Sequence, residues 1–262
     1  MRNFLILITC LFTVACDLAN NSQPITAIES QIIINPVEVL GESLRSLSLV
    51  CKTEKIYPCI NYPLLTDKII KENGIFITFK SVEETTFCLT ALGPATAILD
   101  LGNVRTGQNN MELNTTSHRN AGNLTITDSE IIVDFPQQNG IEISRKVTKR
   151  VPEFTYWGTI GYHTESSIDQ IEEFLQKLGI EGALFEKQVA GDYHYYQIDD
   201  DGEIVVDREN SGYWFAQGFI FRFVGNEEEF KKNVLSISKG YFPDLYINIE
   251  TFRGGRIFNW GN

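Results

Sequence analysis

Histidine and methionine are scarce in this chain of 262 residues, with three and two respectively, and cations are outnumbered, 22 Lys+Arg standing against 34 Asp+Glu. The formal charge of -12 and a pI near 4.8 exclude the clustered basic surface of a nucleic-acid binder, which must displace counterions from phosphates. Five Cys are too few for a scaffold held mainly by disulfides. No apolar run reaches the ~20 residues that a spanning helix needs. The chain also lacks a G-x-S-x-G turn, a phosphate-cradling loop, a G-x-G-x-x-G after a strand and an H-E-x-x-H helix, so no enzyme signature is legible. What is present, with 43% apolar residues, suffices for one large domain or two small ones.

The amino terminus carries the clearest signal. Arg2 and Asn3 precede an apolar run from Phe4 to Ala15, and the polar stretch from Asp17 to Gln23 follows Cys16. The run is too short to span, so 1–15 reads as a signal peptide. In Val14-Ala15-Cys16, small residues let a peptidase grip the backbone while the thiol is presented for lipid attachment. This segment resembles a bacterial lipoprotein lipobox, with Thr13 where a Leu is usual, and is most similar to those of Bacteroidota. The resemblance implies cleavage before Cys16 and lipidation of Cys16 with two or three acyl chains of the palmitate type. It also implies a membrane partner and a location in the cell envelope, facing the periplasm or the surface and expected at the outer membrane. At ~0.8 kcal/mol per buried methylene such an anchor is permanent. Residues 16–30 then form a flexible polar tether.

An exported protein meets oxidising conditions, so of the remaining Cys51, Cys59 and Cys88 one pair is expected to close. Alternation puts Leu47, Leu49 and Cys51 on one apolar face. In 86–91 it puts Phe87, Leu89 and Ala91 together, with Cys88 outward. Cys59, between Pro58 and Pro63, is free to reach an edge, and the expected disulfide is Cys59–Cys88.

Residues 31–149 read as an all-β sandwich, Ig-like in the broad sense. Strands are expected over 31–35, 44–52, 75–80, 86–91, 95–101, 110–113, 123–127, 131–134 and 141–144, separated by Gly, Pro and Asn turns. The cationic stretch 146–152 reads as a solvated linker. Residues 150–262 then form an α+β domain. Its first helix begins at Ser166-Ser167, carries Ile168, Ile171, Phe174, Leu175 and Leu178 at helical spacing, and ends at Gly179. The second has Asn226 as N-cap, Glu227-Glu228-Glu229 in its first turn and Phe230, Val234, Leu235 and Ile237 as its apolar stripe. Strands over 154–162 and 193–198 flank the first helix, and strands over 219–224 and 245–251 the second. The expected fold is two helices on a mixed sheet, of the ferredoxin-like type, with an added hairpin at 203–207.

Asp199-Asp200-Asp201-Gly202-Glu203 tempts a calcium reading, but the remaining ligand spacing fails and a hairpin turn is expected. His163 and His194, each behind a Tyr, lack a third metal ligand at fixed spacing, so no metal or cofactor is assigned. The crowd of aromatics after residue 153 splits by strand parity: one set fills the core, while the other suits a sugar, peptide or envelope-protein partner, or packs against a neighbouring element. Tyr156, Trp157, Tyr195 and Trp214 are the candidate ligand-binding residues. The functional expectation is a cell-envelope lipoprotein with a non-catalytic binding or structural role. The alternatives are a lipid-anchored hydrolase using His163 or His194, and an assembly subunit of a surface structure.

Overall fold

The computed structural model describes residues 25–42, 44–206 and 213–260. The signal peptide, Cys16 and the tether before Ile25 lie outside the described residues, as does Asp207 of the added hairpin. The described residues are mostly β, with several sheets and two α-helices. Among the described residues no helix is long and apolar enough to cross a membrane.

The first eleven strands are β1 (Ile25–Thr26), β2 (Ile32–Val39), β3 (Ser46–Tyr57), β4 (Leu64–Lys71), β5 (Gly74–Glu83), β6 (Gly93–Gly102), β7 (Gly107–Asn114), β8 (Arg119–Ile126), β9 (Glu130–Asp134), β10 (Ile141–Ile143) and β11 (Val147–Lys149). A seven-stranded sheet runs β1-β5-β7-β8-β9-β11, with β4 also paired to β5, and a four-stranded sheet runs β10-β2-β3-β6. Pairing is antiparallel except at β10–β2 and β5–β7. Alternate residues of both sheets meet in one core: Ile32, Ile34, Leu49 and Cys51 from the smaller sheet, and Ile77, Phe79, Leu113 and Leu124 from the larger. The period-2 patterning thus gives two sheets packed in a sandwich-like arrangement.

Four segments depart from the sequence reading. β4 went unexpected because Leu64–Lys71 shows no alternation; five consecutive residues of it are exposed. The stretch 146–152 is not a solvated linker: Val147–Lys149 pairs with β9, and Val151 is buried. Residues 86–91 form no strand, and Phe87 and Leu89 face solvent rather than a core. The tether ends sooner than residue 30, since β1 pairs with β5 and Ser30 Oγ accepts from Lys55 N at 2.9 Å. The disulfide is Cys59–Cys88, with Cα atoms 5.3 Å apart. It forms because the turn at 58–63 lies beside loop 84–92, where Asn61 accepts from Leu89 N and donates to the carbonyl of Phe87. The pairing expected from strand parity is therefore present for a different reason.

The second half consists of β12 (Thr155–Tyr162), α1 (Ile168–Ile180), β13 (Gly191–Asp192), β14 (Gln197–Ile198), β15 (Phe215–Arg222), α2 (Glu227–Lys239), β16 (Leu245–Thr251) and β17 (Arg256–Phe258). An antiparallel four-stranded sheet runs β15-β12-β16-β17. One face carries Tyr156, Ile160, Phe219, Phe221, Ile247 and Ile249. Phe174 and Leu178 of α1, with Phe230 and Val234 of α2, belong to the same core. Phe174 meets Phe219 edge-on at 6.1 Å, and Phe230 meets Tyr156 edge-on at 5.4 Å. α2 begins as expected, with the Asn226 side chain accepting from Glu229 N at 3.2 Å. α1 is entered through a 3-10 turn at Glu165–Ser167 and continues through Gly179, the left-handed position falling instead at Gly182 (φ +100°).

The segment 193–198 does not join this sheet. His194 adopts φ +69°, which breaks an extended run, and only Gln197–Ile198 pairs, with Gly191–Asp192. The chain instead folds back as a hairpin in which Val205 N donates to the carbonyl of Gln197 and Ile198 bridges Ile204. That hairpin lies over the sheet face opposite the helices.

Candidate functional site

The face of the second sheet turned away from the helices carries Trp157, Thr159 and Gly161 of β12, Ala216 of β15, and Asn248 and Glu250 of β16. Tyr195, Tyr196 and the hairpin residues Ile204, Val205 and Val206 stand over it, and Tyr213 closes one side. Together they enclose a cavity of about 300 Å³. That volume is at the low end of the roughly 300–1,000 Å³ typical of small-molecule sites. Glycine permits the close approach. A Cβ on Gly161 would stand 2.3 Å from the Tyr213 ring, and one on Gly218 2.5 Å from the Ile204 side chain.

The walls are aromatic and held in place. Trp157 packs against Tyr195 at 5.7 Å and Tyr196 at 5.0 Å between ring centroids. The Tyr195 hydroxyl donates to the Glu38 carbonyl at 2.9 Å and accepts from Leu40 N at 3.2 Å. The Tyr196 hydroxyl donates to Gln188 Oε1 at 3.0 Å. Burial raises the pKa of both phenols, so they act as neutral hydrogen-bonding anchors. Their rings form a preorganised apolar wall.

The polar groups are few. Glu250 pairs with Arg256 at 3.0 Å. Asn248 Oδ1 is buried and has no hydrogen-bond partner among the described residues. An unpaired buried amide oxygen is costly, and this one belongs to a residue that lines the cavity.

The four candidate ligand-binding residues separate. Trp157 and Tyr195 meet at the cavity. Tyr156 sits on the opposite face, 1% exposed and stacked on Phe221 at 5.2 Å, so it is core and does not line the cavity. Adjacent strand residues must point oppositely, which rules out both Tyr156 and Trp157 serving one site. Trp214 is 80% exposed and outside the cavity wall. Thr159, Asn248 and Glu250 went unnoticed in the sequence. The signal was present in 245–251, where Leu245, Ile247 and Ile249 alternate with Tyr246, Asn248 and Glu250 and so define a second face.

The histidines do not converge on this cavity. His163 lies against the rings of Tyr213 and Tyr246, each at 5.8 Å. His194 N donates to Asp192 Oδ1 at 2.7 Å, and Asp192 pairs with Arg145 at 2.6 Å. The Asp199 carboxylate is occupied by its own turn, accepting from Asp201 N and Glu203 N at 3.0 and 2.9 Å. Among the described residues no three His, Cys, Asp or Glu side chains are grouped to hold a metal ion. Cys51 is buried, and desolvation pushes its thiol up to about 12, leaving it unreactive. The cavity thus combines aromatic walls with the Asn248 amide and the Glu250 carboxylate. Comparison with family models, curated proteins and solved structures returns no match.

Proposed function

We propose that the chain is a cell-envelope lipoprotein, anchored through acyl chains on Cys16, whose second half binds a small polar ligand without catalysis. The anchoring part rests on the resemblance of Val14-Ala15-Cys16 to a lipobox. The binding part rests on one observation, the cavity walled by Trp157 and Tyr195 with Asn248 in its lining. Ring faces suit the C–H face of a pyranose or an apolar peptide side chain, and the amide oxygen selects for a hydroxyl or N–H donor. A glycan or short peptide is the ligand class. For the fold, face-to-face packing of two mainly antiparallel sheets supports the Ig-like type in its broad sense. β15–α2–β16, a strand–helix–strand unit whose strands flank β12, supports the ferredoxin-like type for the second helix only.

Tryptophan emission during titration with chito-oligosaccharides and with short peptides tests the binding reading. A saturable shift is expected with one of these probes, lost at least tenfold in affinity in both Trp157→Ala and Asn248→Ala. An emission unchanged by every probe, or a shift unaltered by the two substitutions, would overturn it.

A further inference from the structure

The strongest unassigned feature is the end of the sandwich where the disulfide lies. Cys59–Cys88 joins the turn 58–63 to the loop 84–92, and Asn61 clips the loop's backbone at Phe87 and Leu89. Phe87 is 74% and Leu92 76% exposed, with Leu89, Ile60 and Ile56 also open to solvent beside them. In a chain whose residues are 21% charged, 58–63 contains no charged residue and loop 84–92 only Glu84 at its start. Large exposed apolar groups on a pinned platform with a single carboxylate at its edge mark an interaction surface.

The position of the chain's entry indicates what covers it. β1 is antiparallel to β5, with Ile25 opposite Glu83 and Thr26 opposite Val82. The chain before Ile25 therefore departs from the same end at which loop 84–92 continues from Glu83. Thr26 Oγ1 lies 3.5 Å from Glu84 Oε1. Residues 16–24 span at most about 30 Å when fully extended. An acyl chain on Cys16 would thus tether the protein from this end.

We propose that this disulfide-pinned end rests on the membrane that holds Cys16, with Phe87, Leu89 and Leu92 dipping into the lipid interface. The inference rests on the lipid-anchor reading of Cys16 and extends it to an orientation: the cysteine bridge shapes a second, non-covalent membrane contact.

The test uses the full lipidated protein in phosphatidylethanolamine–phosphatidylglycerol vesicles with brominated acyl chains. Phe87→Trp and Ile70→Trp are each made on a Trp214→Phe background. Ile70 is exposed at the far end of the larger sheet, next to the turn into β5. Bromines are expected to quench the added emission at position 87 at least twofold and to leave that at position 70 unchanged. Absent quenching at 87, or equal quenching at both positions, in protein whose mass shows an acylated Cys16 would overturn the orientation alone. It would leave the exposed apolar side chains to a protein partner. A mass without acyl chains would overturn the anchor reading and the orientation with it.

Discussion

The Tyr195 hydroxyl donates to the Glu38 carbonyl at 2.9 Å while its ring packs against Trp157, so one side chain joins the cavity wall to strand β2 of the sandwich. The same hydroxyl accepts from Leu40 N, and Leu40 belongs to the core of the second half. Tyr195→Phe keeps the ring and removes both hydrogen bonds. Each such bond contributes about 0.5–1.5 kcal/mol, and the stranded backbone groups raise the cost. A loss of about 1–2 kcal/mol in urea unfolding is expected, with the cavity's ring walls retained.

Glu38 itself is the charged centre of that seam. It is 4% exposed; Oε1 accepts from Arg150 at 2.8 Å, and Oε2 lies 3.7 Å from Arg45 without a hydrogen bond. Arg45 also donates to the Val151 carbonyl. Removing one partner of a buried pair costs about 3–5 kcal/mol, reduced here because both guanidinium groups keep some contact with water. Glu38→Ala is expected to lower stability by about 2–3 kcal/mol. A change under about 0.5 kcal/mol in denaturant titration would show that the seam contributes little.

Thiol accessibility gives a third expectation. In the folded mature protein Cys51 is buried, Cys59 and Cys88 are bridged, and Cys16 carries lipid in the reading above. A thiol reagent should find no site in the folded state, one after unfolding without reductant and three after reduction. In the chain-entropy picture a closed loop of this size contributes about 3.6 kcal/mol. Cys59→Ser/Cys88→Ser should lower the unfolding midpoint accordingly.

How much of this was legible in the sequence varies by element. Short apolar or alternating runs such as 31–35 and 95–101 announced strands, although β2 runs on through Pro36 to Val39, and Asn226 with three following Glu announced α2. β11 was hidden because Lys149 and Arg150 read as solvated charges, whereas tertiary contacts pair them with Glu130 and Glu38. Loop 84–92 misled because its apolar residues alternate like a strand's while facing water. Segment 193–198, rich in tyrosine, read as a sheet strand; its rings cover a sheet face instead. Of the site, Trp157 and Tyr195 were found by residue type. The alternation of 245–251 puts Asn248 on the second face, but bringing it opposite Thr159 took the pairing of β16 with β12, which no local pattern supplies.

The imidazole of His194 links stability to pH. Burial, and next the nearby Arg145 guanidinium, hold its pKa below the ordinary value, with Asp192 opposing. The unfolded chain therefore takes up the proton first, near pH 6.5. Below that value the unfolded state binds more protons, so stability falls as the pH drops toward the folded pKa. The thermal midpoint should decline between pH 7.5 and 5. His194→Asn, which tolerates the positive φ, should flatten that decline.

The account turns on the fate of Cys16, and intact-mass measurement of the mature protein tests it most directly. A chain beginning at Cys16 and heavier than its sequence by two or three acyl chains is the predicted result, with Cys16→Ser expected to give the uncleaved chain without acyl chains. A mature chain that starts elsewhere, or that starts at Cys16 with a bare thiol and amine, would contradict it.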